Sequence, residues 1–449
     1  MTTRLTALLM AFALIGAACG DDGGEVGTDV TTTTTAPTDD GSDLEPEDAD
    51  PEPEGDEPAE PVELTASDIG VTETAIRVGV VFPDISIIGR DAGDIDAKFQ
   101  VIADEVNANG GINGRMIELF VHLPNPLDDT AFEAACVDLV EDREVFAVVG
   151  LLVRTNADCY AGLNDTPVIS TFGISADQMA GYTAVGITTL AHSDRLVADR
   201  VAALLDAGEL EVGMKVAVVG GVQGEQGQTN YVNALTDAGV DVVADTLIQG
   251  DGNDLTALTA EMQRLTEVWK SSGAAKVLGS AGLVEQSLLI AYNNADIDLP
   301  MLLPQGLTVN PSLLRDSQGL DLAPFELATA LVAGDTQANK YRNGEDGVAE
   351  CVDRFQDASG EEVALDESRN NLGPTIVACQ VLDVFIALAT AAGPQLTRDS
   401  YRAVAEGFGP IEVTDMSAAS LGPGKFDLDD AVGEVARFNT ETDQFEPVG

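Results

Sequence analysis

The chain has 449 residues and sets 77 acidic side chains against 22 basic ones, for a formal net charge of −55. Nucleic acid and anionic lipid surfaces are read by clusters of Lys and Arg, so this balance excludes both as partners. An acidic surface otherwise reports solubility and does not imply a cationic ligand. The first element in chain order is apolar. Arg4 supplies a short positive flank, Leu5 to Ala18 form an apolar run, and Gly16, Ala17 and Ala18 lead into Cys19. A run this short with these flanks is a secretory signal and not a membrane span.

The junction at Cys19 resembles the bacterial lipobox. That resemblance implies that residues 1–18 are removed and that the Cys19 thiol carries a diacylglycerol. The protein would then sit on the outer face of the cytoplasmic membrane, in the cell envelope, touching the membrane through its lipid anchor only. The alternative is an ordinary signal cut after an A-x-A-like site. Residues 19–68 follow with Thr31 to Thr35, repeated Asp, Glu, Pro and Gly, and neither Lys nor Arg. Such chain buries too little apolar surface to offset its ordering entropy, so it is expected to be a disordered acidic tether. An acidic interaction tail is the competing reading.

Four cysteines remain in the body: Cys136, Cys159, Cys351 and Cys379. An even number in a secreted chain points to disulfides, with three possible connectivities. The sequence-close pairing, Cys136–Cys159 with Cys351–Cys379, is expected because each bridge closes a short loop within one predicted unit. Metal binding is disfavoured: there is no C-x-x-C, and the only histidines, His122 and His192, stand near no cysteine. No cofactor is expected.

The body, about 380 residues, is too long for one small core and suits two domains. Ile76 to Phe82 is a β-branched run. Ala97, Phe99, Val101, Ile102 and Val106 then recur at helical spacing, stopped by Asn109-Gly110-Gly111. Ile117 to Val121 is the next strand and Thr130 to Asp142 the next helix. Val145 to Val149 and Pro167 to Thr171 are strands separated by a helix around Ala157 to Leu163. A second series opens with Ser193 as a helix N-cap. It continues through the strand Lys215 to Gly220, a helix Thr229 to Ala238, a strand Val240 to Ile248, a helix Leu255 to Lys270, and strands at Lys276 to Ser280 and Pro300 to Pro304. Strands alternating with helices in this way build βαβ units and parallel sheets. Beyond these come helices at Gly347 to Asp357, Pro374 to Ala392 and Arg398 to Phe408, then a hairpin-like return from Asp427 to Val448. Helices that follow two complete sheets must pack back on one of them, so neither domain is continuous in sequence.

The strand Ile76 to Phe82, the turn Asn109-Gly-Gly-Ile-Asn-Gly-Arg115, the strand Ile117 to Val121 and the run Val148-Val-Gly150 resemble the opening of type I periplasmic binding proteins. Among these they are most similar to the branched-chain-amino-acid-type receptors of ABC importers. The resemblance spans residues 74–449 in element order. It implies an α/β fold of two doubly wound parallel-sheet lobes, joined by three crossovers near 190, 333 and 420, with a ligand cleft between them. The lobes would comprise 69–190 plus 334–419, and 191–333 plus 420–449. It also implies a small-molecule solute and the permease of an ABC importer as partners.

Ligands of open α/β sheets sit beyond the carboxyl ends of strands. By analogy with the family, Thr155, Asn156, Gly173 and Ser175 are candidates in the first lobe, with Arg154 and Arg90 as possible carboxylate partners. Gln223, Gln226, Ser280 and Gln305 are candidates in the second lobe. Thr155 and Ser175 could equally cap the helices that follow them. Relatives that bind amino acids hold the α-ammonium with an acidic residue where Gln305 stands here. A neutral amide cannot offset a buried ammonium, so a neutral or differently charged solute is expected. Catalysis is disfavoured, because there is no Walker lysine, no G-x-S-x-G elbow and no plausible triad. A tethered sensory receptor with the same fold is the alternative function.

Overall fold

The computed structural model describes residues 63–449 except 89–90, 127, 153–155, 172–173, 222–224, 249–253, 281–289, 293, 304–327, 333–336, 365–370, 431–433, 440–443 and 448–449. The signal, Cys19 and most of the expected tether therefore lie outside the described residues. Glu63 to Asp68, assigned to the tether from composition, are held on the body. Arg115 donates to the Thr65 carbonyl, and the Ser67 hydroxyl donates to Leu396 O.

The first sheet contains β1 (Ala75–Val81), β2 (Met116–His122), β3 (Ala147–Gly150), β4 (Val168–Ser170) and β5 (Gly186–Thr188) in the order β2-β1-β3-β4-β5, all parallel. β1, β3, β4 and β5 are buried on both faces for most of their length, which is why they read as nearly unbroken apolar runs, while the edge strand β2 leaves Met116 and Glu118 exposed. Ile76, Val78 and Val80 face a core that also holds Phe99 and Ile102 of α1 (Ile95–Ala108). Val81, Val148 and Val168 face Phe132 and Leu139 on the opposite side, from α2 (Asp129–Val137) and the π-helical turn Asp138–Asp142 that continues it. The turn from α1 into β2 depends on glycine. Gly111 has φ +72°, and a Cβ there would lie 2.0 Å from Arg115 O.

The second sheet contains β6 (Lys215–Gly221), β7 (Asp241–Ile248), β8 (Lys276–Gly279), β9 (Met301–Leu303), β10 (Ala328–Val332), β13 (Glu434–Asn439) and β14 (Gln444–Pro447), in the order β14-β13-β10-β9-β8-β6-β7. The strands from β7 to β10 are parallel, and β13 and β14 join antiparallel at one edge as the expected hairpin. On one face, α4 (Ser193–Asp206) and α5 (Glu225–Asp237) cover Val216 and Val218. On the other, α6 (Leu255–Ser272) brings Trp269 to stack on Tyr292, over Val219 and Val277. α4 starts at Ser193, so the cap position falls on His192, whose side chain makes no capping bond, and not on Ser193.

Between β10 and β13 the chain returns to the first sheet. α7 (Gln337–Asn343), α8 (Val348–Ser359), α9 (Leu372–Ala391) and α10 (Arg398–Gly407) pack there, followed by the short pair β11 (Gly409–Pro410) and β12 (Ser420–Leu421). α9 is long and apolar enough to cross a membrane on composition alone, but it is a core helix. Phe385, Leu388 and Ala389 are fully buried, and Phe385 shares a ring cluster with Phe146 and Tyr401. Disulfides join Cys136 to Cys159 and Cys351 to Cys379, each between neighbouring segments packed on the first sheet. Removing either pair as a Cys→Ala double variant is expected to cost about 3 kcal/mol through the unfolded chain's regained entropy. Urea unfolding checks this, and an unchanged midpoint would contradict it.

Candidate functional site at the carboxyl ends of the sheets

In the first sheet the strand order reverses between β1 and β3, so the chain diverges to either side at that point, the usual place for a ligand in an open α/β sheet. The backbone is drawn tight there. Gly150 has φ +134°, and a Cβ on it would lie 2.2 Å from Val81 O, so only glycine lets β3 close on β1. Three backbone bonds then step across the strand ends: Leu151 N–H to Val81 O at 2.9 Å, Thr171 N–H to Gly150 O at 3.0 Å, and Thr189 N–H to Ser170 O at 2.9 Å. They hold the starts of three loops in fixed positions.

The expected residues divide as follows. Asn156 opens the helical segment leading into the π turn Asp158–Leu163 and is half-buried. Ser175 caps α3 (Ala176–Ala180) in a full capping box. Its hydroxyl accepts from Gln178 N–H at 3.2 Å, while its own N–H donates to Gln178 Oε1 at 3.1 Å. That hydroxyl is engaged by the cap, as the capping alternative anticipated. Ser280 follows β8 directly and is buried, with its N–H on Val219 O at 2.9 Å. Arg90, Arg154, Thr155, Gly173, Gln223 and Gln305 lie outside the described residues, as does the side chain of Gln226.

Two groups at the strand ends were not singled out from sequence. Thr171, immediately after β4, is 7% exposed, and its Oγ1 is buried with no hydrogen-bond partner. Gln228, in the first turns of α5, is 3% exposed. Its Nε2 donates to Asp245 on β7, and its Oε1 is buried without a partner. Thr171 closes an apolar run and Gln228 sits among other polar residues, so neither stands out without the fold.

Below the loop after β1, Lys98 is fully buried, with Nζ 3.8 Å from Glu361 Oε1 and over the Phe355 ring. Burial pushes its pKa down, against the opposing pull of Glu361, Asp94 and Asp91. The ammonium thereby ties the Asp91–Asp94 loop to the α8–α9 connection.

The links between the two sheets are clipped together. Thr188 N–H donates to Phe426 O, and Leu428 N–H donates back to Thr188 O. Asp427, 2% exposed, accepts from the His192 N–H at 2.9 Å and from Arg195 Nε at 2.7 Å. The chain leaving the first sheet at 188–195 is thus bound to the chain returning at 426–429. A second clip joins Lys340 of α7 to Asp415 at 3.0 Å and Asp346 at 2.8 Å. A groove of about 1350 Å³ lies elsewhere, between the later turns of α1, α8 and Ile411–Ala419. Among the described residues no three His, Cys, Asp or Glu side chains stand together as a metal site.

Two parallel-sheet α/β bodies linked in this way define a type I periplasmic binding fold. The chain belongs to the periplasmic binding protein family, whose sequence profile matches residues 75–436. No curated protein matches it by sequence. Among solved structures it is similar to an ABC transporter substrate-binding protein from Desulfitobacterium hafniense in complex with Leu, at 13% identity over 83% of this chain and 99% of that one, with a TM-score of 0.59. A fatty acid ABC transporter substrate-binding protein from Thermomonospora curvata is 16% identical over 85% and 94% of the two chains, with a TM-score of 0.59. A solute-binding protein of an ABC transporter from R. palustris in complex with 4-hydroxybenzoate is 16% identical over 83% and 95%, with a TM-score of 0.58.

Proposed function

We propose that this protein is an extracytoplasmic solute-binding lipoprotein that captures a small polar solute between two lobes and delivers it to the permease of an ABC importer. Residues 69–190 with 334–419 would form one lobe, and 191–333 with 420–449 the other. The observation that carries the reading is the pairing of two parallel sheets through clipped connections, with buried polar groups at the carboxyl ends of both. Lipidation of Cys19 would hold the protein on the outer face of the cytoplasmic membrane, with the acidic tether giving it reach. Gln305, standing where amino-acid receptors place a carboxylate, argues against an α-amino acid held by its ammonium.

Binding to the native state alone raises stability by RT ln(1 + [L]/Kd), about 2.7 kcal/mol at a hundredfold excess over Kd. A thermal-shift screen of small polar metabolites should therefore find the solute. Its saturation should reduce the radius of gyration in solution scattering as the lobes close. Gln305→Ala should weaken that solute about tenfold, or about 1.4 kcal/mol. A radius unchanged at saturation would count against closure, and an unchanged affinity would remove Gln305 from the site.

A further inference from the structure

We propose that the Cys351–Cys379 bridge is a redox-sensitive catch, opened by a small thiol that enters the groove beside α8, whereas Cys136–Cys159 is structural. The proposal goes beyond the solute-binding reading and does not depend on it. Its basis is the placement of Arg354. Nη2 of the guanidinium donates to Cys379 Sγ at 3.1 Å. The same nitrogen stands 3.8 Å from Asp383 Oδ1, and Nε stands 3.5 Å from Glu105 Oε2. A disulfide sulfur is a poor acceptor, so this donor gains little while the bridge is closed. On a thiolate the same N–H makes a charge-assisted hydrogen bond. The donor is thus set in advance for a charge that exists only after the bridge opens, as the donors of an oxyanion hole are. At the other bridge the group against Cys159 Sγ is the neutral Asn164 amide, at 3.8 Å.

The geometry also gives the two sulfurs different roles. Cys351 and Arg354 line the groove, while Cys379 belongs to the buried face of the core helix α9. A thiolate arriving through the groove meets Cys351 first and bonds to its sulfur. The Cys351–Cys379 bond breaks, and its electron pair leaves on Cys379 as a thiolate beside Arg354. A low leaving-group pKa speeds this step, and an adjacent arginine lowers that pKa. A second thiolate then attacks the reductant's sulfur in the mixed disulfide and frees Cys351. Two thiols are oxidised to one disulfide, the bridge takes up two electrons, and the two thiol protons pass to the cysteines.

The groove selects the reductant. Among the described residues, eight carboxylates line it against one guanidinium, so a thiol carrying an ammonium is favoured over one carrying a sulfonate. Opening the catch also reaches the strand ends. The segment just beyond α8 carries Glu361, which stands 3.8 Å from Lys98 beneath the Asp91–Asp94 loop. Freeing α8 from α9 should therefore loosen that loop.

The test treats the oxidised full chain with cysteamine or with 2-mercaptoethanesulfonate, alkylates the free thiols and maps the peptides. Cysteamine should open Cys351–Cys379 before Cys136–Cys159, although Cys159 is only half-buried and Cys351 and Cys379 are buried. The mixed disulfide should sit on Cys351 and the alkyl group on Cys379. With each rate divided by that on a small neutral disulfide, cysteamine should act about fivefold faster than the sulfonate. That ratio should shrink toward one at about 1 M salt, where screening acts within about 3 Å. Arg354→Gln should slow cysteamine about fivefold at this bridge and leave the other unchanged. Cysteamine's thiolate form carries no net charge, so this slowing reports the lost donor and not the groove's potential. Hydrogen exchange in the selectively opened protein should rise at residues 91–94 and 348–361. Earlier opening of Cys136–Cys159, or a mixed disulfide on Cys379, would overturn the proposal, and neither readout needs a variant that folds. Equal normalised rates for the two thiols would remove the groove as the entry, and an Arg354→Gln variant as fast as the parent would remove Arg354 from the step. Unchanged exchange at 91–94 would overturn the link to the strand-end loop.

Discussion

Arg115→Ala is expected to destabilise the protein by about 3–5 kcal/mol, because it leaves three backbone carbonyls without their charged donor. The guanidinium is 1% exposed, and its donors are divided among three backbone carbonyls: Thr72 O at 2.6 Å, Pro394 O at 2.6 Å and Thr65 O at 2.8 Å. These carbonyls come from the entry into β1, the turn after α9 and the segment that leads out of the tether. Each one left unpaired costs about 1–3 kcal/mol, though shared partners make the sum less than additive. Burial pushes the Arg115 pKa down, yet a guanidinium remains charged at any working pH. Arg115→Lys should recover only part of the loss, because an ammonium does not present donors in a fixed planar fork. Urea unfolding followed by circular dichroism measures the effect, and limited proteolysis should cut earlier between residues 63 and 72 in the variant. A loss below about 1 kcal/mol would mean that water replaces the guanidinium without penalty.

The same residue illustrates what the sequence could disclose. Asn109 to Arg115 was legible as a turn because its glycines and its place between an amphipathic helix and a β-branched run are local signals. That Arg115 reaches Pro394 was not, since that bond spans 279 residues. The parallel strands β1, β3, β6 and β8 could be read because burial on both faces leaves short runs of Val, Ala and Leu with few polar breaks. β5 and β10 could not, being three and five residues long with no periodicity of their own. That α8–α10 return to one of the sheets followed from a packing argument, since helices after two finished sheets need a surface to cover; that it is the first sheet came from the family resemblance and not from packing. At the site, Ser175 was readable both as a cap and as a ligand contact, because a hydroxyl before a helix serves either purpose. Thr171 and Gln228 stand out only once burial reveals that their oxygens lack partners. Asp427 is hidden for another reason: among so many acids, the one that matters is distinguished only by what faces it from 232 residues away.

Asp427 is where stability and motion should be coupled. Asp427→Ala is expected to cost about 3 kcal/mol, since it strips the half-buried His192 N–H and the Arg195 guanidinium of their acceptor. The figure is below the upper range for buried pairs because the Arg195 side chain is 35% exposed and water can compensate it. Burial alone would raise the Asp427 pKa, but the His192 amide and the Arg195 guanidinium outweigh it and hold the carboxyl below its usual range. A depressed carboxyl contributes stability that is present above the unfolded value of about 3.9 and is lost as pH falls through the folded one. The gap between the parent and Asp427→Asn should therefore be full at pH 7 and shrink in acid below about pH 4. The functional consequence follows from position. Asp427 joins the strand-end Thr188 to the start of α4, so it holds two of the three connections between the sheets at a fixed mutual angle. Freeing them should widen the distribution of lobe orientations in the ligand-free protein, seen as a larger radius of gyration in scattering, while the saturated form stays compact. Because the competent arrangement would then be less populated, affinity should fall by the same factor as that population. Equal radii for parent and Asp427→Asn without ligand, or a stability gap that persists unchanged at pH 3, would show that the clip does not set the hinge.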